Sequence, residues 1–182
     1  FFDAFELARK CGFDNINTDL IAGLPTDTPE SFKNSLDSIV RLNAECITVH
    51  TLCMKRASRL TTEGVTLDLQ QARDAREMLA YTQNILGQNE YIPYYMYRQS
   101  RMVGNLENVG WSKKGFESLY NVYVMDETHT ILACGSGGVT KLKRNNPDYL
   151  ERIFNFKYPY EYIDRFDELI QRKSGIMQFY GQ

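Results

Sequence analysis

The sequence has few cysteines, few prolines and no marked excess of either charge. Its 182 residues include 4 cysteines and 5 prolines, and 21 basic side chains stand against 23 acidic ones. So few cysteines, with no C-x-x-C pair, exclude the dense cross-linking of a disulfide-rich secreted domain. A near-neutral charge is not typical of a protein that binds nucleic acid, so we expect no such partner.

Long apolar runs and an N-terminal signal peptide are missing as well. No stretch of the chain approaches the roughly 20 apolar residues that a helix needs to span a bilayer. Hydrophobic residues make up 43% of the chain and charged residues 24%, which is ordinary for a soluble globular protein. We therefore predict a cytoplasmic α/β protein of one domain or one and a half, with no membrane partner.

The cysteines and histidines show no metal-binding pattern. Cys46 and Cys53 are predicted on one strand and at its exit, an odd number of residues apart, so that they would face opposite ways. We expect them to be separate thiols, and two distant histidines cannot complete a zinc site. His50 lies near the end of that strand and could be either a hydrogen-bonded scaffold residue or a ligand contact. His129 lies in a polar turn and is predicted to be solvated.

The first part of the chain follows a strand, helix, strand order. Asn15–Pro25 alternates as a strand does and then turns, and Cys46–Leu52 is rich in residues that favour strands. Between them, Thr28 is predicted to cap a helix that has Pro29 in its first turn. Short connections predict parallel strands. Asp19 is then expected at the carboxyl end of the first strand, where such folds bind ligands. A structural role, in which Asp19 only bonds loop amides, is an equal alternative.

The remaining elements are predicted from periodicity and turn residues. The expected elements are helices at Phe1–Arg9, Leu69–Leu86 and Tyr160–Lys173, and strands at Tyr91–Tyr97, Tyr120–Met125 and Arg152–Phe156. Pro93 predicts an edge position for its strand. The expected inward-facing residues of the second and third helices include Leu69, Ile163, Phe166, Leu169 and Ile170.

Three segments are predicted to be loops. Lys55–Gly64 is polar, and Arg98–Trp111 has no convincing period. Arg98 and Arg101 of the second loop could bind a carboxylate or simply form surface ion pairs. Gly135–Gly138 lacks the spacing of a dinucleotide-binding loop, so a tight bend is favoured over a phosphate site.

Four stretches of the sequence resemble radical SAM enzymes of the oxygen-independent coproporphyrinogen III oxidase family, also called coproporphyrinogen dehydrogenases. Gly12–Phe32 follows the family's D-L-I-x-G-L-P-x-Q-T pattern, with Asp27 in place of the glutamine. Ile47–Leu60 is similar to the sixth strand of these enzymes. Tyr94–Trp111 and Thr130–Leu142 are similar to their C-terminal region, so the resemblance covers nearly the whole chain.

The resemblance implies an α/β fold, namely the C-terminal part of a radical SAM partial (β/α) barrel, which is TIM-barrel-like, with an α+β C-terminal extension. Residues 1–60 would form the last βα units of the barrel, and residues 61–182 a helix and the extension. The implied cofactors of the full-length protein are S-adenosylmethionine and a 4Fe-4S cluster. Asp19 would bond the ribose hydroxyls of S-adenosylmethionine, Leu52 would contact it through its backbone, and Val139 would lie beside it.

The implied activity is the oxidative decarboxylation of porphyrinogen propionates in haem (porphyrin) biosynthesis. In that family a 5′-deoxyadenosyl radical removes hydrogen from a propionate, and decarboxylation leaves a vinyl group. The small-molecule substrate would then be a porphyrinogen. A haem-binding chaperone that lacks oxidase activity is the alternative, and the sequence leaves both open.

The C-x3-C-x2-C cluster motif of the family does not occur in these residues. We therefore expect the chain to be part of a longer enzyme, inactive by itself and without a cofactor of its own. Part of a barrel exposes the edges of its sheet, so self-association through those edges is expected.

Overall fold

A computed structural model describes residues 1–54, 60, 64, 68–98, 102–145 and 148–181. The chain divides into two compact units, Phe1–Ser118 and Leu119–Gln182. Most of the predicted loop Lys55–Gly64, as well as Arg101, lies outside the described residues. The predicted division at residue 60 separates the barrel from the extension, rather than one compact unit from the other, and it stays a prediction.

The first unit contains a mixed sheet with helices on one of its faces. Its elements in chain order are α1 (Phe2–Lys10), β1 (Asn17–Ala22), α2 (Pro29–Arg41), β2 (Cys46–Thr51), α3 (Leu69–Gln88), β3 (Ile92–Tyr97), a 3₁₀ turn (Val103–Asn105) and β4 (Asn108–Ser112). The strand order is β1-β2-β4-β3. β1 and β2 are parallel, as predicted, whereas β4 runs antiparallel to both of its neighbours.

Helix α2 begins at the predicted cap. The Ser31 N–H donates to Thr28 Oγ1 over 3.2 Å, and the Thr28 N–H donates to Ser31 Oγ over 2.9 Å. This reciprocal pair satisfies two backbone donors that the first turn of a helix would leave without partners. The Thr28 and Pro29 predictions are both confirmed.

The core of the first unit lies between the helices and the sheet. Its large, fully buried side chains include those from α2 (Phe32 and Leu36), α3 (Met78 and Leu86) and β2 (Ile47 and Val49). Leu69 was predicted to lie inside but is 79% exposed. It directly follows the Asp68 cap, so it occupies the first turn of α3, beyond the reach of this core.

Strand β3 occupies an edge of the sheet, as Pro93 predicts. The loop prediction for Arg98–Trp111 is wrong at its end, because Asn108–Ser112 forms β4 inside the sheet. This strand is only five residues long, and Gly110 interrupts its side-chain alternation. The Tyr95 ring fills the space that a Cβ atom of Gly110 would occupy.

The second unit contains a β-hairpin and short helices. Its elements are α4 (Leu119–Asp126), β5 (Val139–Asn145), β6 (Asp148–Phe154), α5 (Pro159–Asp164), α6 (Phe166–Lys173) and α7 (Gly175–Tyr180). Strands β5 and β6 pair antiparallel. Among the described residues of both units, no helix combines the length and the apolar character needed to cross a membrane.

Two predictions fail in the second unit. Tyr120–Met125 is helical rather than extended, because a short apolar run fits either period and α4 has no fully buried side chain to select one. The predicted helix Tyr160–Lys173 breaks at Arg165, where φ is −114° and ψ is 32°. Of the four residues predicted to face inward, Leu169 is buried, whereas Ile163, Phe166 and Ile170 are exposed.

The glycine segment before β5 is a tight bend, as predicted. Gly135 and Gly137 have φ values of 87° and 71°, in the left-handed region that glycine enters without strain. The Gly138 N–H closes the turn on the Gly135 carbonyl over 3.3 Å. A strand follows, not the helix that a dinucleotide site requires.

Candidate functional site

A cluster of polar side chains covers one face of the sheet in the first unit. Thr18, Leu20 and Ala22 of β1 point toward the helices, so Asn17 and Asp19 point to the opposite face. In the parallel register Asp19 is the partner of Thr48, and Ile21 is the partner of His50. Thr48 and His50 of β2 therefore lie on the same face as Asp19.

Asp19 places a carboxylate on this face. It is the third of the six residues of β1, so it lies in the middle of the strand and not at its carboxyl end as predicted. Its Oδ1 accepts a hydrogen bond from Asn17 Nδ2 over 2.7 Å. Its Oδ2 lies 3.8 Å from His50 Nε2, which is longer than a hydrogen bond, and the side chain is 59% exposed. The carboxylate is thus held on one oxygen and open on the other.

His50 connects Asp19 to a pair of tyrosines on β3. Its Nδ1 lies 3.2 Å from the Tyr97 hydroxyl oxygen. The Tyr97 ring is nearly parallel to the Tyr95 ring, with 6.3 Å between centroids and 6° between planes. The Tyr95 hydroxyl lies 3.4 Å from Thr48 Oγ1, and Thr48 in turn donates to Asn17 Oδ1 over 3.0 Å. We call Asn17, Asp19, Thr48, His50, Tyr95 and Tyr97 the polar cluster.

The polar cluster sets the protonation of its members. The nearby His50 imidazole lowers the pKa of Asp19 most, and Asn17 and Thr48 lower it further, against the opposing effect of partial burial. Burial is the main cause that raises the pKa values of Tyr95 and Tyr97. At neutral pH the face therefore presents a carboxylate that accepts hydrogen bonds and two phenols that retain their protons.

Leu52 follows β2 and uses both of its backbone groups within the chain. Its N–H donates to the Ala22 carbonyl over 2.9 Å, and its carbonyl accepts from the Val103 N–H over 3.0 Å. A carbonyl oxygen has a second lone pair, so this oxygen can still accept a hydrogen bond from a ligand. A cofactor could therefore bond the Leu52 carbonyl without breaking an existing hydrogen bond. A contact at the Leu52 N–H would instead displace its bond to the Ala22 carbonyl.

Val139 is the first residue of β5, where it pairs with Phe154 and is half-buried. It belongs to the second compact unit, whereas Asp19 and Leu52 belong to the first. Its predicted place beside a cofactor stays a prediction.

The residues described here do not fit an iron–sulfur cluster. Within the described ranges, no three His, Cys, Asp or Glu side chains are grouped so that they could hold a metal ion. Cys46 is buried, its thiol donates to the Phe116 carbonyl over 3.0 Å, and burial raises its pKa to about 11. A thiol that keeps its proton at neutral pH is a poor ligand.

Sequence reasoning missed most of the polar cluster. The signal for its β1 and β3 members was the spacing of two, Asn17 with Asp19 and Tyr95 with Tyr97, which places each pair on one face of a strand. That spacing does not reveal which strands are neighbours. The sequence left two roles open for His50, a ligand contact or a scaffold residue. In the structure it lies between Asp19 and Tyr97.

Comparison with known proteins identifies similar sequences over most of the chain. No protein-family profile matches. The chain is 36% identical over 176 residues, 97% of its length, to the oxygen-independent coproporphyrinogen-III oxidase-like protein HemZ of Bacillus subtilis. It is 29% identical over 154 residues to the heme chaperone HemW of Lactococcus lactis, and 44% identical over 48 residues to the oxygen-independent coproporphyrinogen III oxidase of Escherichia coli.

A solved structure shares the fold. The coproporphyrinogen III oxidase HemN of Escherichia coli, described as a radical SAM enzyme, superposes with a TM-score of 0.60 over 92% of this chain, at 18% identity. The chain spans about a third of the length of these proteins: 35% of HemZ, 36% of the Lactococcus HemW and 37% of the HemN structure. At 18% identity, the structural likeness shows the fold alone.

Proposed function

Because the chain belongs to the oxygen-independent coproporphyrinogen III oxidase-like radical SAM proteins and has the fold of the C-terminal part of their partial barrel with its extension, we propose that the full-length protein shares their radical chemistry. The full-length protein is a radical SAM oxidoreductase that decarboxylates porphyrinogen propionates in haem biosynthesis. When bound, S-adenosylmethionine and a 4Fe-4S cluster supply the radical chemistry. Residues 1–60 contribute the last βα units of the barrel, and residues 61–182 a helix and the extension.

The observation that carries this proposal is the state of Asp19. Its carboxylate is ionised, lies on the polar face of the sheet and is open at Oδ2. An ionised carboxylate accepts hydrogen bonds only, and the two vicinal hydroxyls of a ribose are a matching pair of donors. The D-L-I-x-G-L-P pattern around Asp19 supports the same role. We therefore propose that Asp19 binds the ribose, and the family resemblance adds the Leu52 carbonyl as a second contact to the cofactor.

Replacement of Asp19 tests the proposal in the full-length protein with its cofactors reconstituted. We expect Asp19→Ala to weaken S-adenosylmethionine binding by about 1.5–3 kcal/mol, or roughly 10- to 150-fold, as is typical when a hydrogen bond to a charged group is lost. Isothermal titration calorimetry measures the affinity. Asp14→Ala, which removes an exposed carboxylate from the segment before β1, is the matched control.

Two outcomes count against this role of Asp19. Unchanged affinity in Asp19→Ala would remove it from the cofactor site. Loss of the folded circular dichroism spectrum would mean that Asp19 is structural, because its bond to Asn17 would then hold the strand rather than prepare a ligand site.

The second candidate function is that of a haem-binding chaperone without oxidase activity. It is favoured by the similarity to the heme chaperone HemW, which extends over 80% of this chain. A haem titration followed at the Soret band and an assay of coproporphyrinogen consumption separate the two functions. Substrate loss supports the oxidase, and haem binding without substrate loss supports the chaperone.

The 182 residues alone are proposed to be inactive and to self-associate. β1 and β3 are the edges of the described sheet, and each has one unpaired side on which another chain can add a strand. Sedimentation at increasing concentration tests this, since a monomer at all concentrations would contradict it.

A further inference from the structure

The open oxygen of Asp19 and the imidazole of His50 leave a gap of defined size. Asp19 Oδ2 and His50 Nε2 are 3.8 Å apart, too far for a hydrogen bond between them. Two atoms at this separation can each lie about 2.8 Å from a single oxygen placed to one side of both. Both side chains are partly open to solvent, His50 at 30% and Asp19 at 59%, so a ligand can reach the gap.

The contacts of His50 favour a proton on Nε2. If Nε2 had no proton, its lone pair would face the ionised carboxylate of Asp19, which is electrostatically unfavourable. Tyr97 keeps its proton because burial raises its pKa, and its hydroxyl lies 3.2 Å from Nδ1. The arrangement that fits both contacts has Nδ1 accepting from the Tyr97 hydroxyl and Nε2–H pointing toward the gap.

The surrounding strands hold this arrangement in place. His50 lies in β2, which is hydrogen-bonded to β1 on one side and to β4 on the other. Tyr97 is kept in position by the parallel Tyr95 ring, which lies over Gly110 and reaches Thr48. Groups on paired strands are better positioned for a ligand than groups on loops.

We propose that His50 is a second ribose-binding residue of the Asp19 site and that Tyr97 is its positioning residue. One ribose hydroxyl donates its hydrogen to Asp19 Oδ2 and accepts a hydrogen bond from His50 Nε2–H. The other hydroxyl bonds the carboxylate only. This inference rests on the proposed function, because the ligand is the nucleoside portion of S-adenosylmethionine.

The test compares ligands that differ in one hydroxyl, in the reconstituted full-length protein. The probes are S-adenosylhomocysteine, which is unreactive, and its 2′-deoxy and 3′-deoxy forms, with affinities from calorimetry. We expect His50→Ala to weaken S-adenosylhomocysteine binding roughly 3- to 10-fold, as for one lost hydrogen bond. For one of the two deoxy forms, His50→Ala should have the same affinity as the wild type, because that ligand lacks the hydroxyl that His50 contacts.

A conservative variant and a control sharpen the comparison. His50→Gln places an amide N–H near the position of Nε2–H, so it should restore most of the affinity for S-adenosylhomocysteine. His129→Ala removes an exposed histidine of the second unit and should leave all three affinities unchanged.

Tyr97→Phe tests the positioning role by a readout that does not depend on binding. In ¹⁵N-histidine-labelled protein, the His50 signals should indicate a single tautomer, with the proton on Nε2. Tyr97→Phe should convert them to averaged signals, because Nδ1 loses its donor. Wild-type signals that already show an averaged imidazole, or a proton on Nδ1, would overturn the proposal even if His50→Ala does not fold.

The outcomes separate this inference from the proposed function. If His50→Ala weakens all three ligands equally, or none, His50 is scaffold and the inference fails. If Asp19→Ala still weakens S-adenosylhomocysteine binding in the same titration, the proposed function survives that failure. If Asp19→Ala has no effect, both fail.

Discussion

At the scale of single residues, Glu45 is a nearly buried acid that joins helix α1 to the start of β1. Its two carboxylate oxygens each lie 2.7 Å from Arg9 Nη2, and Oε2 also accepts from the Ile16 N–H over 3.1 Å. The side chain is only 11% exposed. Burial raises the pKa of Glu45, but the Ile16 N–H and the Arg9 guanidinium outweigh burial, so the pKa is below its ordinary value of 4.5.

This lowered pKa predicts an acid-dependent loss of stability. The unfolded chain binds the proton more readily than the folded chain, so the contribution of Glu45 is fully present above pH 4.5. It is lost as the pH falls through the lower pKa of the folded state. We expect Glu45→Gln to destabilise the chain at neutral pH and to flatten the fall in the free energy of unfolding below pH 4.5, measured by urea unfolding.

The control is Glu6→Gln in α1, which changes an exposed carboxylate and should leave the pH dependence as in the wild type. A wild-type slope in Glu45→Gln would mean that other acids account for the acid sensitivity.

At the scale of secondary-structure elements, the pairing of β3 with β4 depends on the absence of a side chain. Gly110 of β4 lies against the Tyr95 ring of β3, and a Cβ atom added at Gly110 would clash severely with Tyr95 Cε1. The ring in turn stacks on Tyr97, so the two strands and the polar cluster share this contact. A glycine that weakens a strand locally is thus used for close packing between neighbours.

Gly110→Ala is therefore expected to destabilise the chain by roughly 1–3 kcal/mol, the usual cost of forcing extra volume into a packed site. Urea unfolding measures the change. In Tyr95→Ala the ring is absent, so adding Gly110→Ala should cost clearly less than it does in the wild type. Gly87→Ala is the control, since nothing lies within 4 Å of its added Cβ atom and alanine favours the helix. Additive effects of the two substitutions would contradict this account of β4.

At the scale of the whole molecule, both compact units contain fully buried apolar side chains. Phe32 and Leu36 belong to the core of the first unit, and Leu142 and Leu169 are fully buried residues of the second. Parts of one chain can open separately. The two units are therefore expected to respond differently to a cavity in one of them.

We expect Leu142→Ala to destabilise the second unit by about 2–5 kcal/mol, the typical cost of removing a buried leucine side chain. Hydrogen exchange followed by mass spectrometry should show faster exchange mainly within residues 119–182. Phe32→Ala is the reciprocal control and should accelerate exchange mainly within residues 1–118. Equal acceleration in both units after either substitution would show that the chain opens as one body.

Local signals in the sequence were sufficient for part of this protein. The strands β1 and β2, the cap at Thr28 and the tight bend at Gly135 follow from alternation over a few residues and from turn chemistry, which act over short distances in the chain. The D-L-I-x-G-L-P pattern likewise pointed to the family and to Asp19. These features depend on neighbours in the sequence, and so the sequence alone determined them.

The tertiary structure decided the rest, because the deciding contacts join residues that are distant in the sequence. β4 is a strand because β2 and β3 flank it, and its own five residues carry too little alternation to show this. Leu69 and Ile163 are exposed in the described part of the chain, and periodicity cannot show which face of a helix finds a partner. His50 and Tyr97 are 47 residues apart, and only the order of strands in the sheet brings them together beside Asp19.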